Sequence, residues 1–351
     1  MSDVGKLSFP NHLTPVYSPA IIHVNQSVKT VRIKTSSFHP DLQHLVPQLY
    51  RQQRWATLPG LFRLFGWWSR YSDRGRDIEG LDCATDYLKS SLDGAEIRVR
   101  IYRPLDAGNG PLPCMLYIHG GGYLIGSPEG ADEVIKRFID RRPCIVIAPD
   151  YRKAYDRPYP AGFQDCYDTL LWARDQAERL GCRSDTFMVG GHSAGGGLTA
   201  AISLKARDTG DVSIAFQMPF YPMIDDTQPE DDKRDIAPPV WNTSLNRKGW
   251  AGYHADIRRG RAELSAYAAP MRAESFAGLP PTLTFVGDLE PFYWETETYV
   301  ERLREAGVDV RYRCFRGCYH AFELIGNGGQ VARNARAFTV DTYAELYDSY
   351  L

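Results

Sequence analysis

The sequence predicts an α/β protein with a doubly wound, mostly parallel sheet and helices on both faces, and three observations predict it. Two near-continuous apolar runs, Cys114-Met115-Leu116-Tyr117-Ile118 and Cys144-Ile145-Val146-Ile147-Ala148, suit strands buried on both faces of a parallel sheet. Helical stretches separate such runs along most of the chain, which is the alternation of a doubly wound fold. The third is Gly191-His192-Ser193-Ala194-Gly195, set between an apolar run at 186–190 and a small-residue helical stretch at 196–207. This G-x-S-x-G pattern fits a strand that turns straight into a helix, with glycines where the two pass closely and a strained, exposed Ser between them.

Residues 1 to about 85 lack that alternation. Within 41–70, Leu42, Leu45, Leu49, Leu58, Leu61, Phe62, Leu64, Phe65, Trp67 and Trp68 recur at loosely helical spacing, broken at Pro47 and Pro59. Such a segment must bury an aromatic face, and a helical lid over a pocket is the expectation. Its polar face lacks the Lys/Arg cluster of a membrane-docking helix; a homodimer contact is the other alternative. The regular pattern starts near Asp86. There Ile97, Val99 and Ile101 alternate with Arg98 and Arg100, as in a half-buried strand. Further strands are expected at 213–218, 282–286 and 308–315, and helices at 133–140, 161–180, 295–306 and 332–350. Gly307 ends the third of these helices in the C-cap manner. The stretch 221–266 interrupts the alternation with Asp225, Asp226, Glu230, Asp231, Asp232, Trp241 and Trp250. It reads as an excursion from the C-terminal edge of a strand, where substrate sites of such sheets lie, and its acids as a solvated face.

The 351 residues can bury a large core. A net charge of −2, from 41 Lys+Arg against 43 Asp+Glu, gives no footprint for nucleic acid. Residues 1–6 carry no basic and apolar leader, and no stretch approaches a membrane span, so a soluble cytoplasmic protein is expected. The seven cysteines are scattered and read as reduced thiols. Cys314-x-x-x-Cys318 lacks a second Cys/His pair, so no metal is expected.

A Ser hydroxyl needs a base to remove its proton, and the base needs an orienting partner. His320, in the loop Gly317-Cys318-Tyr319-His320-Ala321-Phe322 past the last expected strand, is the candidate base for Ser193. Four other histidines precede the sheet, His254 lies in the excursion, and His192 is adjacent to the nucleophile. For the orienting acid, Asp288 and Glu290 are both open on spacing. The oxyanion needs N–H donors, which Ala194 supplies by position and Gly120 and Gly121 by their place after the strand ending at Ile118. His119 then braces that loop. No G-K-[ST] or G-x-G-x-x-G context makes it a phosphate loop.

His119-Gly120-Gly121-Gly122, Gly191-His192-Ser193-Ala194-Gly195-Gly196 and Tyr319-His320-Ala321-Phe322 resemble, in order and context, the hormone-sensitive-lipase-like (HGGG-type) family of α/β-hydrolases. Asp150-Tyr151-Arg152, Pro158-Tyr159-Pro160-Ala161, residues 221–226 and residues 302–308 resemble it too. The likeness spans roughly residues 90–325. It implies an α/β-hydrolase fold, with a mostly parallel eight-stranded sheet and a helical cap built from residues 1–85 and an insertion after the sixth strand (221–266); residues 86–351 would form the catalytic domain. It also implies carboxylesterase activity on short- to medium-chain acyl esters through an acyl-enzyme, without cofactor or metal. Ser193, His320 and an acid carry over as the triad, and Gly120, Gly121 and Ala194 as the oxyanion hole. The family's acid precedes a Pro and an apolar residue, which matches Glu290-Pro291-Phe292 and favours Glu290 over Asp288. The chain departs from the family in having Glu there rather than Asp, His192 where Asp is common, and Tyr293-Trp294 where Arg-Asp is frequent. Tyr123, beside the glycines, is expected to bound the acyl or alcohol pocket. An amidase, lactonase or acyltransferase would use the same triad. A non-catalytic small-molecule receptor on this fold would be expected to lose a triad member.

Overall fold

The computed structural model describes residues 31–351 except 57–58, 107, 109, 228–234 and 327. Residues 1–6, His12, His23, Leu58, Glu230, Asp231, Asp232 and the side chains of Leu61, Phe62 and Phe65 lie outside what is described.

Eight strands form one sheet: β1 (Leu81–Lys89), β2 (Glu96–Pro104), β3 (Leu112–Ile118), β4 (Ile145–Pro149), β5 (Cys182–His192), β6 (Ile214–Phe220), β7 (Thr282–Gly287) and β8 (Val310–Phe315). Their spatial order is β8-β7-β6-β5-β3-β4-β2-β1. β2 runs antiparallel to β1 and β4, and the other pairs are parallel. The expected fold class is therefore the observed one, and the excursion at 221–266 does leave the sixth strand.

Strand pleating sends alternate side chains to opposite faces. Leu116, Ile147 and Val189 join one core with α4 (Ala161–Asp175) and α5 (Ala194–Thr209), while Met115, Tyr117, Val146 and Met188 join another with α3 (Asp132–Arg141) and α8 (Gln330–Tyr350). Both faces are thus covered, which is why the central strands read as unbroken apolar runs. On α7 (Tyr293–Glu305), Tyr299 and Leu303 pack against Ala200 and Leu204 of α5.

The two longest described elements without a sequence expectation are an edge strand and a helix of the excursion. β1 is an edge strand with few buried positions, so its apolar alternation is muted, and it starts the sheet five residues ahead of Asp86. α6 (Thr243–Tyr253) lies inside the excursion; Asn242 caps it, its side-chain oxygen accepting the Leu245 N–H at 2.9 Å. Such a cap stabilises a helix by about 1 kcal/mol. β2 also differs from its half-buried expectation: Arg98 and Arg100 are 5% and 3% exposed. Arg98 is held bidentately by Glu129 at 2.7 and 2.9 Å, and Arg100 by Asp77 at 2.8 Å. Charges are buried here because each is paired.

Helices α1 (Val46–Ala56) and α2 (Pro59–Tyr71) precede the sheet. Val31–Arg32 pairs in parallel with Ile236–Ala237 of the excursion. The Tyr50 hydroxyl donates to the Ala237 carbonyl at 2.9 Å, and the Gln53 amide donates to that of Pro238 at 3.3 Å. Segments two hundred residues apart are joined by these bonds. No helix among the described residues is long and apolar enough to cross a membrane.

Candidate active site

Ser193 stands where β5 becomes α5, at φ 58° and ψ −122°. A non-glycine residue holds that conformation only when its surroundings over-determine it. They do so here: the Ser193 N–H donates to the Phe220 carbonyl at 3.0 Å, and its carbonyl accepts from Gly197 and Met223, each at 3.0 Å. The flanking glycines are required by space. A Cβ on Gly195 would lie 2.0 Å from the Ile118 carbonyl oxygen, and one on Gly191 would lie 2.6 Å from both that oxygen and the Gly195 carbonyl oxygen.

The loop after β8 brings His320 over the sheet edge, with Nε2 3.0 Å from Ser193 Oγ. Its Nδ1 contacts Glu290 Oε2, and Glu290 Oε1 accepts the Gly287 N–H at 3.0 Å. Ser193, His320 and Glu290 are 4%, 5% and 0% exposed. The rings of Tyr221 and Phe292 meet the imidazole edge to face at 4.9 and 5.0 Å. Asp288 is placed elsewhere. Its Oδ1 accepts the Gly317 N–H at 2.6 Å and its Oδ2 lies 3.5 Å from Arg316, so it fastens the base of the histidine loop.

The glycine loop corrects two expectations. The Gly120 N–H is aimed at His192 Nε2, 3.3 Å away. For the N–H groups of Gly121 and Gly122, no acceptor is found among the described residues. Among the described residues, the N–H groups of this loop left without an acceptor are therefore those of Gly121 and Gly122, one residue later than the expected pair. Tyr123, expected to bound the pocket, is turned into the interior. It is 2% exposed, its hydroxyl donates to the Met223 carbonyl at 2.8 Å, and its ring stacks on Tyr253 at 3.9 Å. The ring that stands over the glycines is Trp241 of the excursion, since a Cβ on Gly122 would meet it at 2.2 Å.

His119 braces the loop as expected. Lys153 Nζ lies 3.0 Å from His119 Nε2, and an ammonium can only donate, so Nδ1 carries the proton and donates to the Gly120 carbonyl at 2.7 Å. Burial and the neighbouring Lys153 charge hold the His119 imidazole well below its usual range. Asp150 closes the set at 3.3 Å from Lys153. Against the cost of burial, Lys153, Arg70 and Arg98 keep its carboxyl low.

A serine hydrogen-bonded to a histidine, with a carboxylate behind the histidine, is an arrangement able to carry out acyl transfer. A family described as alpha/beta hydrolase fold matches residues 115–324, more than half of the chain. The chain belongs to the alpha/beta hydrolase fold family. Among relatives of this alpha/beta hydrolase, an arylesterase of Saccharolobus solfataricus is 32% identical over 275 residues, which cover 75% of this chain and 83% of the relative. The carboxylesterase NlhH of Mycobacterium tuberculosis is 33% identical over 218 residues, 61% of this chain and 67% of the relative. Among solved structures, a bacterial heroin esterase superposes with a TM-score of 0.77 at 29% identity, covering 89% of this chain and 98% of the other.

Two buried carboxyls of this alpha/beta hydrolase had no sequence reading. Glu295 accepts the N–H groups of Ile224 and Asp225, each at 3.2 Å, and so fixes the turn leaving β6. Burial and Asp225 push its carboxyl well up. Glu323, three residues past His320, accepts the Tyr221 hydroxyl at 2.5 Å through Oε1, while Oε2 has no partner among the described residues. Burial pushes its carboxyl up from the ordinary 4.5 to about 7. Because that value is raised, the folded chain holds a proton that the unfolded chain has released across this interval. The protein therefore loses stability as pH rises from 4.5 to about 7, then levels off, on this group's account. Glu323→Gln is expected to remove that slope. Chemical unfolding at pH 4.5 and pH 8 should show the variant gaining up to about 3 kcal/mol on the wild type between the two; parallel curves would refute it.

Proposed function

We propose that the protein is a serine carboxylesterase acting on short- to medium-chain acyl esters. The observation that carries this reading is the hydrogen-bonded sequence from Ser193 Oγ through His320 to a fully buried Glu290. The esterase names of the relatives support it.

In this reading His320 Nε2 takes the hydroxyl proton as Ser193 Oγ attacks the ester carbonyl. Glu290 holds the Nδ1–H tautomer and stabilises the imidazolium that forms. Gly121, Gly122 and Ala194 donate their N–H groups to the oxyanion, each contributing roughly 3 to 4 kcal/mol. His320 then protonates the departing alcohol oxygen, which leaves an acyl-Ser193. Water, deprotonated by His320, attacks that ester and releases the acid with the serine restored.

The described residues up to 80, short of the expected boundary at 85 because β1 begins at Leu81, and those within 221–266 are proposed to form the cover of the site, with the sheet and its helices as the catalytic part. The pairing of Val31–Arg32 with Ile236–Ala237 supports this, as does the approach of Gly66 on α2 to Ile125 beside the glycine loop. A cytoplasmic location is part of the same proposal, supported by seven free thiols.

The test is hydrolysis of p-nitrophenyl esters from acetyl to dodecanoyl. Turnover is expected to peak among the shorter chains, and turnover of none of them would overturn the reading.

A further inference from the structure

His192 occupies the position before the nucleophile, yet its side chain turns away from the chemistry and towards the glycine loop. Its Nε2 lies 3.3 Å from the Gly120 nitrogen, and a Cβ on Gly120 would meet the ring at 2.9 Å. On the other side, Nδ1 lies 3.4 Å from the hydroxyl of Tyr117, a residue of β3 that is 1% exposed. A backbone N–H can only donate, so Nε2 must present its lone pair to Gly120. A neutral ring then carries its proton on Nδ1 and offers it to the Tyr117 oxygen. The two bonds tie the first amide of the loop, through one imidazole, to the strand from which the loop springs.

We propose that His192 is a positioning residue for the oxyanion hole, holding Gly120 so that the following N–H groups of Gly121 and Gly122 face the carbonyl under attack. Three observations support this. The Gly120 amide is spent on His192, whereas the next two find no acceptor among the described residues. The next peptide, Gly120–Gly121, is fixed independently, because the Gly120 carbonyl accepts from His119. Gly120 is thus clamped between two imidazoles, one accepting from its N–H and one donating to its carbonyl. Finally, the ring stays an acceptor: burial, and after it the repulsion of a charged His320, push its value down to about 4.

This inference rests on the esterase reading, and the wild-type turnover above tests that reading on its own. The inference is tested by His192→Phe, which keeps a ring and removes the acceptor, and by His192→Gln, which restores one. Both are assayed for kcat and KM on p-nitrophenyl butyrate and for inhibition by an alkyl trifluoromethyl ketone, whose adduct with Ser193 places an oxyanion in the hole. Misplacing donors by about an ångström costs on the order of a hundredfold. His192→Phe is therefore expected to lower kcat by about 10- to 100-fold with KM within about threefold, and to weaken the ketone by the same factor as kcat. His192→Gln should recover most of both losses. A folded His192→Phe with wild-type kcat and wild-type ketone affinity overturns the inference, as does a loss in KM alone. Should His192→Phe fail to fold, His192→Gln decides: kcat and ketone affinity near those of the wild type uphold the role of the acceptor, and a large loss in a folded variant overturns it.

Discussion

Replacing Ser193 by alanine is expected to lower ester turnover by a factor on the order of 10⁶ without unfolding the chain. Among the described residues the side chain of Ser193 makes one polar contact, to His320, while its backbone bonds to Phe220, Gly197 and Met223 hold the turn. Alanine keeps all three backbone bonds and meets the positive φ with the same Cβ. Turnover of p-nitrophenyl butyrate and the thermal midpoint are measured together. Loss of activity with an unchanged midpoint is the expected result; retained turnover would remove Ser193 from the mechanism.

The second large effect separates the two loop carboxylates. Glu290→Gln presents an amide to His320 Nδ1 where a carboxylate stood, favouring the wrong tautomer and removing the charge that balances the imidazolium. A loss of roughly 10⁴ in kcat is expected. Asp288→Asn keeps an oxygen for the Gly317 N–H and never touches His320. Its kcat should stay within a few-fold of the wild type, and a modest drop in the thermal midpoint is its main effect. A reversal of the two kcat results would hand the orienting role to Asp288.

Much of this site was legible in the sequence because its requirements are local. A strand-to-helix turn this tight needs glycines on both sides of the serine, and the contacts at Gly191 and Gly195 supply the physical reason. His320 and Glu290 each sit just past the end of a strand, so strand order alone carries them to one edge. The central strands were legible because they are buried on both faces.

Other features depend on partners distant in the chain. Arg98 and Arg100 alternate with apolar residues as solvent-facing side chains do, and nothing near them in sequence announces Glu129 or Asp77. The ring of Tyr123 looked available beside the glycines, but α6, its neighbour in space, begins 120 residues later. Likewise, which glycine N–H is free depends on the direction of the His192 ring, and motif spacing carries no direction.

The short ladder between Val31–Arg32 and Ile236–Ala237 has a consequence for how substrate preference can change over evolutionary time. Backbone pairing is blind to side-chain identity, so residues on either strip can drift while the seam persists. The seam also makes the proposed cover of the site a joint inheritance: a graft of one strip from a relative must dock against a partner encoded two hundred codons away. On that proposal, new selectivity is most readily acquired by altering both strips together, or by exchanging rings such as Trp241 that stand over the glycines without belonging to the seam.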